Sequence, residues 1–440
     1  MKIKPMTRRQ ALLGTLFGAG ALGLRSLATG LPVSFLLNPR KALADIPTPA
    51  CGNASKAQFI ILATSGSGDP INTNCPGTYL DPNIVHSLDP TMAPTTVTMS
   101  GKPWTAAAPW AQLQPWLDRT SFFHLMTNTP VHPKEPNVLA LMGATYQGEM
   151  FPSILAKYLA PCLGTLQAQP MSLGASNPSE TLTFNGAPQP NIPANALKST
   201  LASAAGPLTN LQPLRDQTLS SIHDLYVNGA TPAQKNYLDS LITTQKQVRQ
   251  IDQNLLAALT ALNDNSVTSQ ITAAIALIQM KITPVISIHI PFGGDNHTDT
   301  GLATETTQTV SGCAAIAALM QALQNAGLSD QVSFLSLNVF GRTMAPGTEN
   351  GRNHNNNHQV SLMIGKPFKG GVVGGVAADA KDYSAMAIDS ATGNGATGGD
   401  ITALDSLASF GKTVMQAVGV DSAAISTQIT SGKVVAGAIA

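Results

Sequence analysis

Charged side chains are scarce in this sequence. Asp, Glu, Lys and Arg make up 11% of the 440 residues, against about 25% in an average soluble domain. Hydrophobic residues make up 43%, which is enough for a sizeable core, and the length suits one large domain or two ordinary ones. A surface with so little charge is common in exported proteins and uncommon in cytosolic ones.

Basic residues are especially few outside the N-terminal segment. Residues 1–44 contain seven of the 25 Lys and Arg residues and no Asp or Glu. The rest of the chain therefore has 18 basic and 24 acidic residues, a net charge near −6. Because nucleic-acid binding needs clustered Lys and Arg, we expect neither DNA nor RNA among the partners.

The N-terminal segment predicts export. Arg8 and Arg9 form a twin-arginine pattern, a weakly apolar stretch follows, and a small-x-small cleavage site ends at Ala44. We therefore interpret residues 1–44 as a signal peptide for the Tat translocase, which predicts a periplasmic or secreted protein with no membrane span after cleavage. The alternative is an uncleaved anchor, but Arg25 and many glycines make this stretch a poor bilayer span. The twin-arginine route exports folded proteins, which often carry a metal already.

Cysteines are few, and all of them follow the predicted signal peptide. Cys51, Cys75, Cys162 and Cys313 form an even set, which in an oxidising compartment allows two disulfides and three pairings. Cys51 and Cys75 are closest in sequence, so we expect them to pair. No Cys-x-x-Cys spacing indicates a zinc site, which favours cross-links over metal ligation.

Apolar runs and helical patterns alternate along the chain. Short apolar runs predict strands at 58–63, 121–126, 285–290, 333–339 and 360–364. Helical periodicity predicts helices at 108–117, 137–143, 214–226, 232–262, 266–280, 304–326 and 401–418. Residues 164–212 are expected to be irregular. The order predicts a single α/β domain over 45–440, with a mostly parallel central sheet flanked by helices and a helical insertion at about 205–282.

Candidate metal ligands follow several of these strands, where open α/β sheets place their ligands. They are Asp69, Asp295, His297, His354 and His358. Mixed carboxylate and imidazole groups suit a divalent metal such as zinc, manganese or calcium, which would polarise a phosphate or sulfate ester. The sequence therefore predicts a metal site at this edge of the sheet.

His132 lies in another polar loop, 127–133, and could be a ligand, a substrate contact or a solvated loop histidine. Geometry provides a simple check of Asp295, His297 and His354. Because ligand atoms lie about 2 Å from a metal, side chains more than about 6 Å apart cannot share one ion.

Four short motifs follow one another in a fixed order: Gly293-Gly294-Asp295-x-His297, Phe340-Gly341-Arg342-Thr343, Gly351-Arg352-x-His354 and Lys369-Gly370-Gly371. In order and spacing, residues 285–375 resemble a large bacterial family of twin-arginine exported proteins, domain-of-unknown-function family fifteen-oh-one. That family is regarded as part of the alkaline phosphatase/sulfatase-like superfamily. The resemblance implies an alkaline phosphatase/sulfatase-like fold for this chain.

The resemblance also implies roles for individual residues. Arg342 would hold an anionic group of the substrate, a small molecule or an envelope component, through bidentate hydrogen bonds. Ser65, Ser67 or Thr64 would be the nucleophile, since the superfamily uses a hydroxyl near its first strand. The expected activity is metal-dependent hydrolysis of phosphate or sulfate esters at a single metal.

Two departures from the family pattern support a second hypothesis. Val339 stands where the family has Glu, and Asn353 where it has Asp, so two carboxylates are missing. The alternative is a catalytically degenerate periplasmic or secreted envelope protein with a binding or structural role. A third hypothesis is that Trp104, Trp110 and Trp116 bind sugars or envelope polymers, although these residues fit a core equally well.

Overall fold

A computed structural model describes residues 49–174, 181–197, 212–227, 259–292, 294–345, 350–380 and 382–440. The predicted signal peptide lies outside the described residues, as does most of the helix expected at 232–262. The chain divides into two compact units, 1–48 with 195–263 and 49–194 with 264–440. None of the helices in the described ranges is long and apolar enough to cross a membrane.

Helices and strands alternate through the second unit, whereas in the first unit the described part is mainly the helix Gln212–Val227. The α-helices are α1 Ile71–Asn74, α2 Glu135–Leu139, α3 Phe151–Leu163, α4 Gln212–Val227, α5 Val267–Gln279, α6 Ala303–Asn325, α7 Ser406–Ala417 and α8 Ser422–Gln428. The strands are β1 Phe59–Ser65, β2 Pro94–Met99, β3 Lys102–Ala107, β4 Thr120–Leu125, β5 Met171–Ser172, β6 Thr183–Phe184, β7 Ala187–Pro188, β8 Val285–Ile288, β9 Val332–Asn338, β10 Gly341–Arg342, β11 His354–Asn355, β12 Gln359–Ile364, β13 Gly371–Val373, β14 Val376–Ala378 and β15 Tyr383–Ala385.

Seven of these strands form the central sheet, in the order β13-β4-β12-β9-β1-β8-β5. All neighbours are parallel except β12, which runs antiparallel to both β4 and β9. Helix α6 provides the crossover from β8 to β9, as parallel strands require, whereas the described residues between β9 and β12 contain no α-helix. The predicted α/β class with a mostly parallel central sheet and flanking helices is confirmed.

The sheet is buried on both faces, as expected for a parallel sheet covered by helices. Every residue of β1 is buried. Because side chains alternate along a strand, Ile60 and Leu62 share one face, and they join the core formed with Ile154 of α3 and Phe410 of α7.

Several local predictions were wrong in detail. Residues Ala108–Arg119 form a 3-10 helix, with Pro109 near its start and Pro115 inside it, because proline removes the hydrogen bonds that an α-helix needs. The helix expected at 137–143 ends early, since Leu141 and Met142 adopt left-handed backbone angles. The stretch expected to be irregular contains β5, which pairs with β8 as the last strand of the sheet.

The expected pairing of Cys51 with Cys75 was wrong. Cys51 bonds to Cys162, whereas Cys75 and Cys313 are buried free thiols. Cys51 precedes β1 and Cys75 follows it, so a strand of seven residues, which spans about 23 Å, separates their positions along the chain. A disulfide reaches only about 6 Å between Cα atoms, and the residue within that reach of Cys51 is Cys162, with the two Cα atoms 4.8 Å apart.

Candidate metal centre

Loops that carry polar residues meet at the end of the central sheet where its parallel strands finish, which we call its carboxyl edge. The parallel strands β1, β4, β8 and β9 all end at this edge, and the antiparallel β12 begins there. The loops after β1, β4, β8 and β9 therefore converge, and the last of them continues through β10 and β11 to β12. Carboxyl ends of strands in open α/β sheets are the usual positions of ligand sites.

Four side chains from three of these loops converge on one point. His132, Asp295, His297 and His354 each direct one ligand atom into a group whose members all lie within 4.8 Å of one another. The condition that side chains sharing an ion lie within about 6 Å is met. The structure thus brings together three of the five predicted ligands and adds His132.

The shortest distances in the cluster centre on His297. Its Nε2 lies 3.0 Å from Oδ1 of Asp295 and 2.9 Å from Nε2 of His354. Nε2 of His354 lies 3.9 Å from the same carboxylate oxygen, and Nε2 of His132 lies 3.8 Å from Oδ2 of Asp295. Nitrogen lone pairs this close repel unless a proton or a metal ion lies between them, so the arrangement suits a cation.

The other nitrogen of each imidazole is already engaged. Nδ1 of His132 lies 2.8 Å from the carbonyl oxygen of Gly66, and Nδ1 of His354 lies 2.5 Å from that of Pro130. Nδ1 of His297 lies 3.1 Å from Oδ1 of Asn353. Because these oxygens only accept, each Nδ1 carries the proton and each Nε2 is free to ligate. Outer partners of this kind are typical of metal-binding histidines.

Burial also disfavours the charged form of His354. Its environment lowers the pKa, first through burial and then through the nearby Arg342, His132 and His297, although the carbonyl of Pro130 acts in the opposite direction. A neutral imidazole is the form that binds a metal. The donor set as a whole, three imidazoles and one carboxylate, fits a divalent transition metal or zinc.

Phe340 packs against two imidazoles of the cluster. Its buried ring stacks on His354 with centroids 4.1 Å apart and meets the edge of His132 at 5.0 Å. The guanidinium carbon of Arg342 lies 5.5 Å from the ring centre. A Cβ atom at Gly68, whose φ is +70°, would lie 2.3 Å from the ring, so glycine is needed there.

Arg342 is fully buried and its guanidinium donates within the protein. The carbonyl oxygens of Ser67 and Gly294 accept from it at 2.5 and 2.6 Å, and Oδ1 of Asp295 accepts at 3.4 Å. Its position therefore connects the loop after β1 to the loop after β8 and orients the Asp295 carboxylate. The predicted role as a substrate clamp stays a prediction, and the observed contacts are to the protein itself.

A buried ion pair fixes the two loops that carry three of the ligands. Arg352 is bound through Nε and NH2 by Glu305 at the start of α6, at 2.5 and 3.0 Å. Glu305 also accepts from the side-chain amide of Asn296, and the carbonyl oxygen of Asn296 accepts from the backbone N–H of Arg352. At Gly351, φ is +128° and a Cβ atom would lie 2.3 Å from the carbonyl oxygen of His297. The two loops are thus in direct contact.

Two of the predicted ligands lie outside the cluster. Asp69 is buried, and its Oδ1 accepts from the backbone N–H of Ile71. Burial raises the pKa of Asp69 to about 7, partly offset by that hydrogen bond and by Arg342. Asp69 is therefore not a member of the observed cluster, and its role as a ligand stays a prediction.

His358 also lies outside the cluster, and its role as a ligand likewise stays a prediction. It is fully buried, and its Nε2 lies 2.9 Å from Nδ1 of His124, while its Nδ1 lies 3.4 Å from the side-chain amide of Asn72. Burial lowers the pKa of both histidines, that of His124 to about 4. Asn72 also exchanges hydrogen bonds with the backbone of Arg342, so this neutral pair supports the loop beneath the cluster.

The two serines predicted as nucleophiles occupy different environments. Ser65 ends β1, is buried, and accepts the backbone N–H of Ser67 at its Oγ. Ser67 is half-buried, and its carbonyl oxygen binds Arg342 next to the cluster. Of the two serines, Ser67 is the one whose own residue contacts a member of the site.

The two departures from the family pattern have different consequences. Val339 is fully buried in the hydrophobic core, so a carboxylate at this position would require its own buried partner. Asn353 binds Nδ1 of His297 through its amide oxygen. Position 353 thus supplies His297 with a neutral hydrogen-bond acceptor.

Sequence reasoning gave His132 no more weight as a ligand than as a solvated residue. The available indication was its position after the apolar run that became β4, which ends at the same edge as β1 and β9. The sequence showed Arg352 within the Gly-Arg motif, but nothing in it indicated that Arg352 pairs with Glu305. Trp110 and Trp116 are buried and Trp104 is half-buried, which places the first two among core residues.

Comparisons with known proteins place one part of the chain in context. Residues 208–393 match the model of a family described as "Protein of unknown function (DUF1501)". The resemblance of residues 285–375 to that family is therefore confirmed, and the matched range includes Asp295, His297 and His354 but not His132. No curated protein sequence matches the chain.

Among solved structures, the chain is similar to the lipoteichoic acid synthase LtaP from Listeria monocytogenes. The two share 9% sequence identity with a TM-score of 0.36, over 91% of this chain and 81% of that chain.

Proposed function

We propose that the protein is an exported, metal-dependent hydrolase that acts on phosphate or sulfate esters. The single observation that carries this proposal is the convergence of His132, Asp295, His297 and His354 within 4.8 Å, at a sheet edge that is open to solvent. Side-chain exposure of 55% at Asp295 and 41% at His297 leaves room for a substrate to approach. A structural metal site is usually closed, whereas a catalytic one keeps an open position.

Zinc and manganese fit the donor set better than calcium does. Three of the four donors are imidazole nitrogens, whereas calcium prefers six to eight oxygen ligands, so a site with one carboxylate disfavours it. When bound, such an ion supplies Lewis-acid polarisation of an ester oxygen. The proposed substrate class rests on the resemblance to the alkaline phosphatase/sulfatase-like superfamily described above.

The protein's own groups prepare the site for this chemistry. The carbonyl oxygens of Gly66 and Pro130 hold the proton of two imidazoles at Nδ1 and so keep Nε2 available. Arg342 holds the carboxylate of Asp295 in place and adds positive charge that favours an anionic substrate. Ser67 is the residue we assign as nucleophile, because it lies on the loop that binds both His132 and Arg342.

The alternative function is that of a degenerate envelope protein that binds an anion without turnover. The observation that favours it is the single carboxylate in the cluster, whose charge Arg342 balances. Two-metal hydrolases need several carboxylates. Binding without hydrolysis would leave the metal and anion affinities intact.

An assay of metal-loaded protein separates the two functions. We expect hydrolysis of an aryl phosphate or aryl sulfate that depends on added zinc or manganese and is lost in His297→Ala and in Ser67→Ala. His223→Ala, in α4 and outside the cluster, is the control histidine substitution and should retain activity. Turnover of neither ester by protein that binds metal would support the degenerate binding protein.

A further inference from the structure

We infer that Asn353 is a positioning residue that sets both the metal affinity and the anion affinity of the centre by holding His297 with a neutral group. This inference rests on the proposed metal centre and goes beyond it, since it predicts what kind of ligand the centre prefers. The observation is the contact between Oδ1 of Asn353 and Nδ1 of His297, at 3.1 Å.

His297 depends on this contact more than the other imidazoles depend on theirs. His132 and His354 are held by backbone carbonyls, which no substitution removes, whereas His297 is held by a side chain. His297 is also the most exposed of the three imidazoles, at 41% against 35% and 18%. Its Nε2 nevertheless makes the two shortest distances in the cluster. The orientation of His297 therefore decides whether all four ligand atoms can reach one ion.

The position of Asn353 is fixed by the backbone and not by its side chain. Its N–H donates to Oγ1 of Thr343, and its carbonyl oxygen accepts from the N–H of Thr343. Both bonds survive a change of side chain, so variants at 353 alter the contact with His297 while the loop keeps its anchors. This makes the position suitable for substitution.

The charge of the group at 353 matters because little negative charge lies nearby. Asp295 is the one carboxylate of the cluster, and the buried guanidinium of Arg342 lies 3.4 Å from it. Glu305 is paired with Arg352. With a neutral amide at 353, a divalent ion at this centre would keep a net charge of about +2, whereas a carboxylate at 353 would reduce it to about +1. The neutral amide thus favours a multiply charged oxyanion such as phosphate.

The test measures zinc and inorganic phosphate binding in the wild type, Asn353→Ala and Asn353→Asp. Asn353→Ala should lower zinc affinity about 10- to 100-fold, as loss of an outer-shell partner usually does. Asn353→Asp should restore zinc affinity to the wild-type value or above it, and should weaken phosphate binding to the zinc-loaded protein about tenfold. In 15N spectra, His297 should have its proton at Nδ1 in the wild type and a mixture of tautomers in Asn353→Ala.

Asn356→Asp is the matched control, because it adds the same charge to the same loop while its side chain contacts Asn357. It should leave zinc affinity unchanged. Equal zinc affinity in Asn353→Ala and wild type, or an equal loss of phosphate binding in Asn356→Asp and Asn353→Asp, would overturn the inference. If the wild type binds no zinc at all, the proposed metal centre fails instead, so the two failures are distinguishable.

Discussion

The ring of Phe340 touches two ligand imidazoles and lies next to the guanidinium of Arg342. Phe340→Leu should keep an apolar core but remove the flat surface on which His354 stacks. We therefore expect zinc affinity, measured by competition with a chelator, to fall about tenfold.

Phe368→Leu is the matched control for this change. Phe368 is equally buried, but it follows β12 and lies at the opposite edge of the sheet. It should lose a similar amount of stability with no change in zinc affinity. An equal fall in zinc affinity in both variants would show a general loss of packing and contradict the role assigned to Phe340.

Asp69 gives a pH dependence of stability. Burial raises its pKa to about 7 in the folded protein, against about 3.9 in an unfolded chain. Between these values the folded protein keeps a proton that the unfolded chain has released, so this contribution to stability falls as pH rises.

Comparison of wild type with Asp69→Asn isolates this group, since the buried pair His124 and His358 is common to both proteins. The free energy of unfolding of the wild type, relative to that of Asp69→Asn, should fall as pH rises from about 4 to about 7, most steeply in the middle of this range, where the folded protein holds most nearly one proton more than the unfolded chain. Urea unfolding at several pH values measures this difference. A difference that does not change with pH would contradict the buried, protonated carboxyl group.

At the scale of elements, the start of α6 holds the loops that carry three ligands. Glu305 is the counter-charge of Arg352 and the acceptor for Asn296. Glu305→Gln should leave a buried guanidinium without a negative partner and cost about 3–5 kcal/mol. Chemical unfolding measures the loss, and zinc affinity should fall with it.

Lys433→Met provides the comparison for that substitution. Lys433 pairs with Asp400 at 2.9 Å, but its side chain is 58% exposed. Exposed pairs contribute about 0–1 kcal/mol, so this variant should retain both stability and zinc affinity. Equal losses of stability and zinc affinity in the two variants would contradict the conclusion that Glu305 holds the ligand loops in place.

Strands and long helices could be predicted from the sequence, because apolar runs and helical periodicity are local. The runs at 58–63 and 333–339 became β1 and β9, and the pattern at 304–326 became α6. The antiparallel direction of β12 could not be predicted, since it depends on the path of the long connection from β9. The 3-10 helix Ala108–Arg119 reflects prolines that a periodicity count does not weigh.

The candidate site could be predicted only in part for a related reason. Asp295, His297 and His354 lie in motifs with recognisable spacing, whereas His132 comes from a loop more than 160 residues away. Asp69 and His358 carry groups that can bind a metal, and they lie at the same edge of the sheet as the cluster. Their side chains are engaged by Ile71 and His124, and such contacts follow from tertiary packing alone.

At the scale of the whole molecule, one disulfide ties the segment before β1 to α3. Cys51 and Cys162 are 111 residues apart, and removal of a native disulfide that closes a long loop typically costs about 2–5 kcal/mol. Cys51→Ser should lower the free energy of unfolding by an amount in this range. Cys313→Ala removes a buried free thiol and should leave the disulfide intact.

Alkylation and mass spectrometry without reductant check the pairing directly. Cys75 and Cys313 should be modified only after denaturation, because both are buried, and Cys51 and Cys162 should remain linked. A peptide that links Cys51 to Cys75 would contradict the fold around β1.

The central claim is that His132, Asp295, His297 and His354 form one metal site, and metal content is its most direct test. Purified protein dialysed against zinc or manganese and then against buffer should retain one equivalent of metal per chain. The double variant His297→Ala/His354→Ala should retain none while it keeps the circular-dichroism spectrum of the wild type. A wild type without metal, or a double variant that binds as much metal as the wild type, would contradict the account.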